Sequence, residues 1–225
     1  MKQLTDAHLA TLRRHMVEVI DIEYELMADA TGRARPSEPL RAALCELPRH
    51  LFVPPQLAAL AYRDQPLPIG FDKTISQPFL SALMIDLLDL KRGDRVLEVG
   101  TGLGYQTALL SRLAGEIWSV DVVEEFVLGA AARLRLLDVT NVTLRVGDGS
   151  RGQPGNAPFD AVLVSAAARE LPTALAEQLA IGGRMVLPIG EAGAQRLTRI
   201  ERISTEEVAA TEIMAVQFTA LETIL

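Results

Sequence analysis

Val96-Leu97-Glu98-Val99-Gly100-Thr101-Gly102-Leu103-Gly104-Tyr105 is the stretch on which the reading of this chain turns. A short apolar run carries an acid near its end, glycines then occupy every second position, and a helical pattern follows. Such an order describes a buried strand that breaks into a tight turn open only to glycine, with a helix beyond it. A backbone without Cβ atoms lets a ligand lie against the chain itself. An acid placed before the turn suits a ligand with hydroxyls or positive charge rather than a bare phosphate.

The rival reading is a dinucleotide site, and the spacing argues against it. That fingerprint needs a small residue three positions after the second glycine, where helix and strand pack closely. Tyr105 occupies the position here and is too large. A Gly-x-Gly-x-Gly run directly after Glu98 instead resembles the pattern of S-adenosylmethionine-dependent methyltransferases.

The rest of the chain bounds the answer. Its 225 residues fit one α/β domain with an N-terminal addition, and 49% hydrophobic content predicts a sizeable core. A net charge of −7 and an isoelectric point near 5.1 argue against a general nucleic-acid binder. Cys45 is the single cysteine, so an intrachain disulfide or a cysteine metal cluster is excluded. His8, His15 and His50 lack zinc-ligand spacing, and no metal is expected. Without a signal-peptide core or a long uncharged apolar run, the expected setting is the cytoplasm, away from membranes.

Periodicity predicts a helix over about 4–29, with Leu9, Leu12, Met16, Val19 and Ile20 on its apolar face, then a linker over 29–39. A second helix over 38–46 leads into a proline-punctuated stretch from Leu47 to Pro55, expected to be extended. A loop from Tyr62 to Gly70 and a helix over 77–89 follow. Strands are predicted at 95–99, 116–121, 142–146, 160–165 and 183–188, with helices at 104–114, 124–137 and 170–180 between them. That alternation implies a doubly wound, mostly parallel Rossmann-like sheet. Two further β-like runs, 197–203 and 211–221, predict an antiparallel pair at one edge. The chain thus divides into an N-terminal helical and loop region, 1–76, on the substrate side, and a core, 77–225, on the cofactor side.

Ligands of open α/β sheets bind outside the carboxyl ends of the strands. Gly100, Thr101, Gly102 and Gly104 fall there. So does Asp121, whose carboxylate can accept both ribose hydroxyls of a nucleoside. Asp148 and Gly149 follow the next strand, with Asp148 placed to accept from an adenine amino group. Plain alternatives exist, with Asp121 as a helix cap and Asp148-Gly149 as an ordinary turn. Taken in order, these residues favour an adenosyl cofactor. Ser165 to Ala168 are small and leave room for a substrate.

Pro48-Arg49-His50-Leu51-Phe52-Val53-Pro54 and Leu67 to Pro78, ending Thr74-Ile75-Ser76-Gln77-Pro78, carry the specific resemblance. With Leu97–Gln106, Val146–Gly149, Ala157–Asp160 and Gly182–Pro188, they make residues 40–222 similar to the protein-L-isoaspartate O-methyltransferase family, in collinear order. The resemblance implies a carboxyl O-methyltransferase that uses S-adenosylmethionine on L-isoaspartyl residues of damaged proteins or peptides, a repair activity. It implies Ser76 as the active-site serine; Thr74 nearby can supply a second hydroxyl for positioning. A helix N-cap ahead of Pro78 is a compatible second duty for Ser76. Because a carboxylate is already ionised at neutral pH, the reaction needs positioning rather than a strong base. Ile75, Gln77 and Gln217 are expected on the substrate side, and His50 is read either as a substrate-side donor or as a buried structural histidine.

Departures from the family pattern cluster on that side: Ile20, the linker 29–39, Ser150, Gln153 and Gln217. Where the family commonly has an arginine, Gln217 offers a neutral donor. These departures keep two alternatives open, a relative that methylates another dedicated carboxylate and a non-catalytic cofactor-binding module. Oligomeric state is not legible in the sequence.

Overall fold

The structure is a computed structural model that describes residues 5–223. Three helices open it: α1 (Asp6–Leu26), the single turn α2 (Ala28–Thr31) and α3 (Glu38–Glu46). Leu4, at the start of the expected first helix, lies outside the described residues. Thr5 caps α1 by accepting from His8 N. The buried face of α1 is Met16, Val17, Ile20 and Tyr24, a helical spacing. The stretch after α3 is not extended: it winds into 3₁₀ turns at Arg49–Phe52 and Pro55–Leu60. Proline fixes φ near −65°, a value that such turns share with extended chain.

A hairpin follows where a loop was expected, β1 (Leu67–Gly70) paired antiparallel with β2 (Lys73–Ile75). Its tip, Phe71-Asp72, has φ of 52° and 54°, so two non-glycine residues take the left-handed turn conformation. The usual Asn-Gly signal is missing, which is why the pattern concealed the hairpin. Next come α4 (Pro78–Asp86), β3 (Arg95–Val99), α5 (Tyr105–Leu113), β4 (Glu116–Asp121), α6 (Glu124–Leu136), β5 (Val142–Val146) and β6 (Phe159–Val164). The chain closes with α7 (Thr173–Ala176), β7 (Leu179–Ile189), β8 (Arg196–Arg202) and β9 (Val208–Ala215).

The main sheet has the order β5-β4-β3-β6-β7-β8-β9. Its first five strands are parallel, and β8 and β9 add an antiparallel edge. The α/β, doubly wound reading holds, with two corrections in its second half. The helix predicted over 170–180 shrinks to α7, because Leu179 is captured by the sheet opposite Phe159. The run predicted as a strand over 211–221 leaves β8 at Ala215, where Val216 N turns to the Gln195 carbonyl, and pairs again at Ala220, in a bridge with Ala167.

Strand residues alternate between two apolar layers. Val96, Ala161, Leu163 and Val186 face a core shared with Met16, Ile20, Leu44, Leu83 and Leu110. Leu97, Val99, Val162, Val164 and Met185 face the other side with Leu175. Strand order reverses between β3 and β6, and the crevice at that switch is where an open α/β sheet binds its ligand.

Candidate active site

The glycine turn sits at the carboxyl end of β3, on the switch point. Gly100, Gly102 and Gly104 have φ of 97°, 51° and 92°. Close packing adds to that demand at two of them. A Cβ on Gly104 would meet the Ala130 Cβ at 3.0 Å, and one on Gly100 would meet that of Ser165 at 3.3 Å.

Beneath the turn, Glu98 is fully buried and lines neither of the two clefts described below. Its Oε2 accepts from Thr107 Oγ1 at 2.5 Å and from Ser119 Oγ at 2.6 Å, and Oε1 has no partner. Burial, opposed by those two hydroxyls and reinforced by Asp121, pushes the Glu98 carboxyl up to about 7. Ser119 lies 2.6 Å from Thr101 Oγ1, so the acid underpins the turn through two hydroxyls. Asp121 holds the turn from β4: Oδ2 accepts from Gly102 N at 2.8 Å, and Oδ1 from Val123 N at 3.0 Å.

A cleft opens above these residues at the switch point of the sheet. Gly100, Thr101, Gly102, Asp121, Phe126 and Gly149 wall it on the sheet side. The β1–β2 hairpin roofs it with Ile69, Lys73, Thr74 and Ile75. The tail after β9 closes it with Thr219–Glu222, and Lys73 pairs with Glu222 across the mouth. A second cleft adjoins it, lined by Pro66, Gln77, Leu80, Met214, Gln217 and Phe218. Four residues border both: Thr74, Ser76, Ser165 and Thr219. A group carried in the first cleft can therefore reach an acceptor in the second only past hydroxyl side chains.

Most of the expected residues are brought together. Thr74, Ile75 and Ser76 reach the first cleft, and Gln77 and Gln217 line the other. Gln77, not Ser76, occupies the N-cap position of α4, and the donor there, Phe79 N, is met from across the chain by Asp64 at 2.7 Å. Gly149 reaches the first cleft, whereas Asp148 accepts from Ser150 N at 2.9 Å and Ser150 Oγ at 2.6 Å. His50 lines neither cleft; its Nδ1 lies 2.7 Å from the Tyr62 hydroxyl, and burial lowers its proton affinity.

Pattern reading passed over Gln106, Gln195 and Thr219. Ser165 Oγ donates to Gln106 Oε1 at 3.1 Å, leaving Gln106 Nε2 buried without a partner. Gln195 grips the tail twice, accepting from Phe218 N at 2.6 Å and donating to its carbonyl at 3.0 Å. Nothing in local sequence marks a glutamine whose partners lie 23 residues away.

The profile of the family described as Protein-L-isoaspartate(D-aspartate) O-methyltransferase (PCMT) matches residues 23–223. The chain belongs to this family. A protein-L-isoaspartate O-methyltransferase of Anaeromyxobacter dehalogenans is 54% identical over 185 residues, covering 80% of this chain and 87% of the relative. One from a Polaromonas species is 42% identical over 219 residues, covering 97% and 93%. A solved protein-L-isoaspartate O-methyltransferase superposes with a TM-score of 0.77 at 26% identity, over 92% of this chain and 65% of that one. The fold is shared by a putative Plasmodium falciparum enzyme of the family, solved with S-adenosyl-L-homocysteine, with a TM-score of 0.78 at 22% identity. That match covers 96% of this chain and 98% of the other.

Proposed function

We propose that this protein is an S-adenosylmethionine-dependent carboxyl O-methyltransferase acting on L-isoaspartyl residues of damaged proteins and peptides. The observation that carries the reading is the pair of clefts meeting at Thr74, Ser76, Ser165 and Thr219. The cofactor fits the first cleft on chemical grounds. Its glycine-lined wall admits a ligand against the backbone, Asp121 offers a carboxylate to a ribose diol, and Val122 with Phe126 supplies apolar surface for a base. Gly149 completes that wall, and Asp148, tied to Ser150, holds the loop that presents it. Glu98 acts from below by fixing Ser119 and Thr107.

When bound, the cofactor supplies a methyl group on a sulfonium, which passes to a carboxylate oxygen to give an ester and a thioether. The protein's own residues orient the acceptor. Ser76 is the catalytic residue, with Thr74 beside it, each offering a hydroxyl at the junction of the clefts. No group there has to remove a proton, because the acceptor arrives ionised. Gln77 and Gln217 give the acceptor's peptide neutral amide partners from the second cleft, and Ile75 lines the first. The family's substrates place the reaction in protein repair, and the lone Cys45 agrees with a cytoplasmic setting. Among the described residues no helix is long and apolar enough to cross a membrane.

The test is transfer of a labelled methyl group to an isoaspartyl peptide and to its normal aspartyl twin. Base-labile label on the first alone is expected. Equal labelling of both, or of neither, would overturn the assignment.

A further inference from the structure

Arg49 is the largest fully buried side chain among the described residues, at 0% exposure. A desolvated guanidinium is costly unless something compensates it, and a carboxylate normally does so. Arg49 has none bonded to it. Nε donates to the Ala61 carbonyl at 2.8 Å, and Nη2 to the Ser76 carbonyl at 2.6 Å. The guanidinium carbon stands 4.5 Å from the centre of the Tyr105 ring, and Nη1 makes no hydrogen bond. Asp64 is the acid whose field reaches Arg49, yet its oxygens are turned to Phe79 N and Gln77 Nε2. A guanidinium keeps its proton even so, because its intrinsic pKa exceeds about 12.

The cleft on the other side of Ser76 poses the complementary problem. It has to take an anion, and not one of the residues lining it is charged. The cation of the first cleft, Lys73, is paired with Glu222.

We propose that Arg49 is a positioning residue whose buried charge, relayed through the Ser76 peptide, is the counter-charge for the side-branch carboxylate of the substrate. The inference rests on the function proposed above. Its chemical logic lies in the reaction, since the carboxylate loses its charge as the ester forms. A cation bonded directly to the oxygens would stabilise the ground state more than the transition state and occupy the attacking lone pairs. A charge one peptide away attracts the anion and leaves those lone pairs free. The same contact clamps the backbone of Ser76 and so aims its hydroxyl.

The measurement is a ratio: the Kd of an isoaspartyl peptide against that of its neutral isoasparaginyl amide, by calorimetry on protein loaded with S-adenosylhomocysteine. The full-length protein should favour the carboxylate about tenfold, the scale of one charge acting at moderate distance in a protein. Arg49→Lys should keep most of that preference while kcat falls, because the charge stays and the clamp loosens. Arg49→Met should bring the ratio close to one, with Arg49→Gln read in its place should the methionine variant not fold. General damage moves both peptides together and leaves the ratio unchanged. A ratio near one in the unaltered protein, or an undiminished ratio in the neutral variants, would overturn the proposal. Methyl transfer to the isoaspartyl peptide alongside a flat ratio would remove this inference and leave the proposed function standing.

Discussion

Ser76 makes no cap on α4, so its hydroxyl is free of that duty. Ser76→Ala should lower kcat about 100-fold, the usual scale for losing one aligned donor, and leave S-adenosylhomocysteine affinity within twofold. Steady-state kinetics and calorimetry separate the two effects. Glu98 gives a pH prediction. A carboxyl whose folded value, about 7, exceeds its free value of 4.5 binds its proton more readily in the folded chain. Its stabilising contribution is therefore complete below 4.5 and is lost as pH rises through about 7, a span worth about 3 kcal/mol. Glu98→Gln is fixed in the neutral form. Thermal unfolding should show this variant gaining on the parent between about pH 5 and pH 8, and a constant gap would contradict the buried, half-satisfied acid. Sequence could assign Glu98 to the turn because the residue is adjacent to it in the chain. It could not say that the side chain points beneath the cleft, since that depends on Thr107 and Ser119 arriving from α5 and β4.

At the scale of elements, the parallel strands and their glycine turn were legible because hydrophobic runs, turn residues and helical periodicity all agreed. The hairpin over the cleft was not. Its tip carries Phe71 and Asp72 where glycine or asparagine is usual, and the Phe71 ring stands edge-on to Phe126 at 5.4 Å. Replacing the strained residue that makes no such contact, Asp72→Gly, should raise stability by about 0.5–1 kcal/mol in urea unfolding. The tail after β9 was equally hidden. A stretch from Thr211 to Leu221 reads as one strand, yet Gln195 draws Phe218 away from the sheet and swings Thr219–Glu222 to the cleft. Gln195→Ala should leave the fold intact and weaken S-adenosylhomocysteine binding about tenfold, measured by calorimetry, because a loosened tail no longer closes the cleft.

At the scale of the molecule, the N-terminal region and the core share one apolar layer, and we propose that they unfold together. Asp86, at the end of α4, fastens the join. It accepts from Tyr24 hydroxyl, Arg33 Nη1 and Ser37 N, while Arg33 also pairs with Asp89. Burial, with Asp86 beside it, drives the Tyr24 hydroxyl well above its usual range, so it stays a donor. Asp86→Ala should cost about 3 kcal/mol in a single cooperative transition followed by fluorescence and circular dichroism. Two separate transitions would instead show that the regions fold apart. Arg33 belongs to the very linker, 29–39, that departs from the family pattern, and only the assembled structure gives it a purpose. By itself the sequence determined the strand–glycine–helix unit, the order of elements and the family, because those are set by neighbours along the chain. Tertiary structure alone decided that Ser76 borders two clefts, that Glu98 lies under the turn, and that a buried arginine stands behind the serine. Each of these depends on segments far apart in sequence meeting in a low-dielectric interior, where burial decides which polar groups find partners.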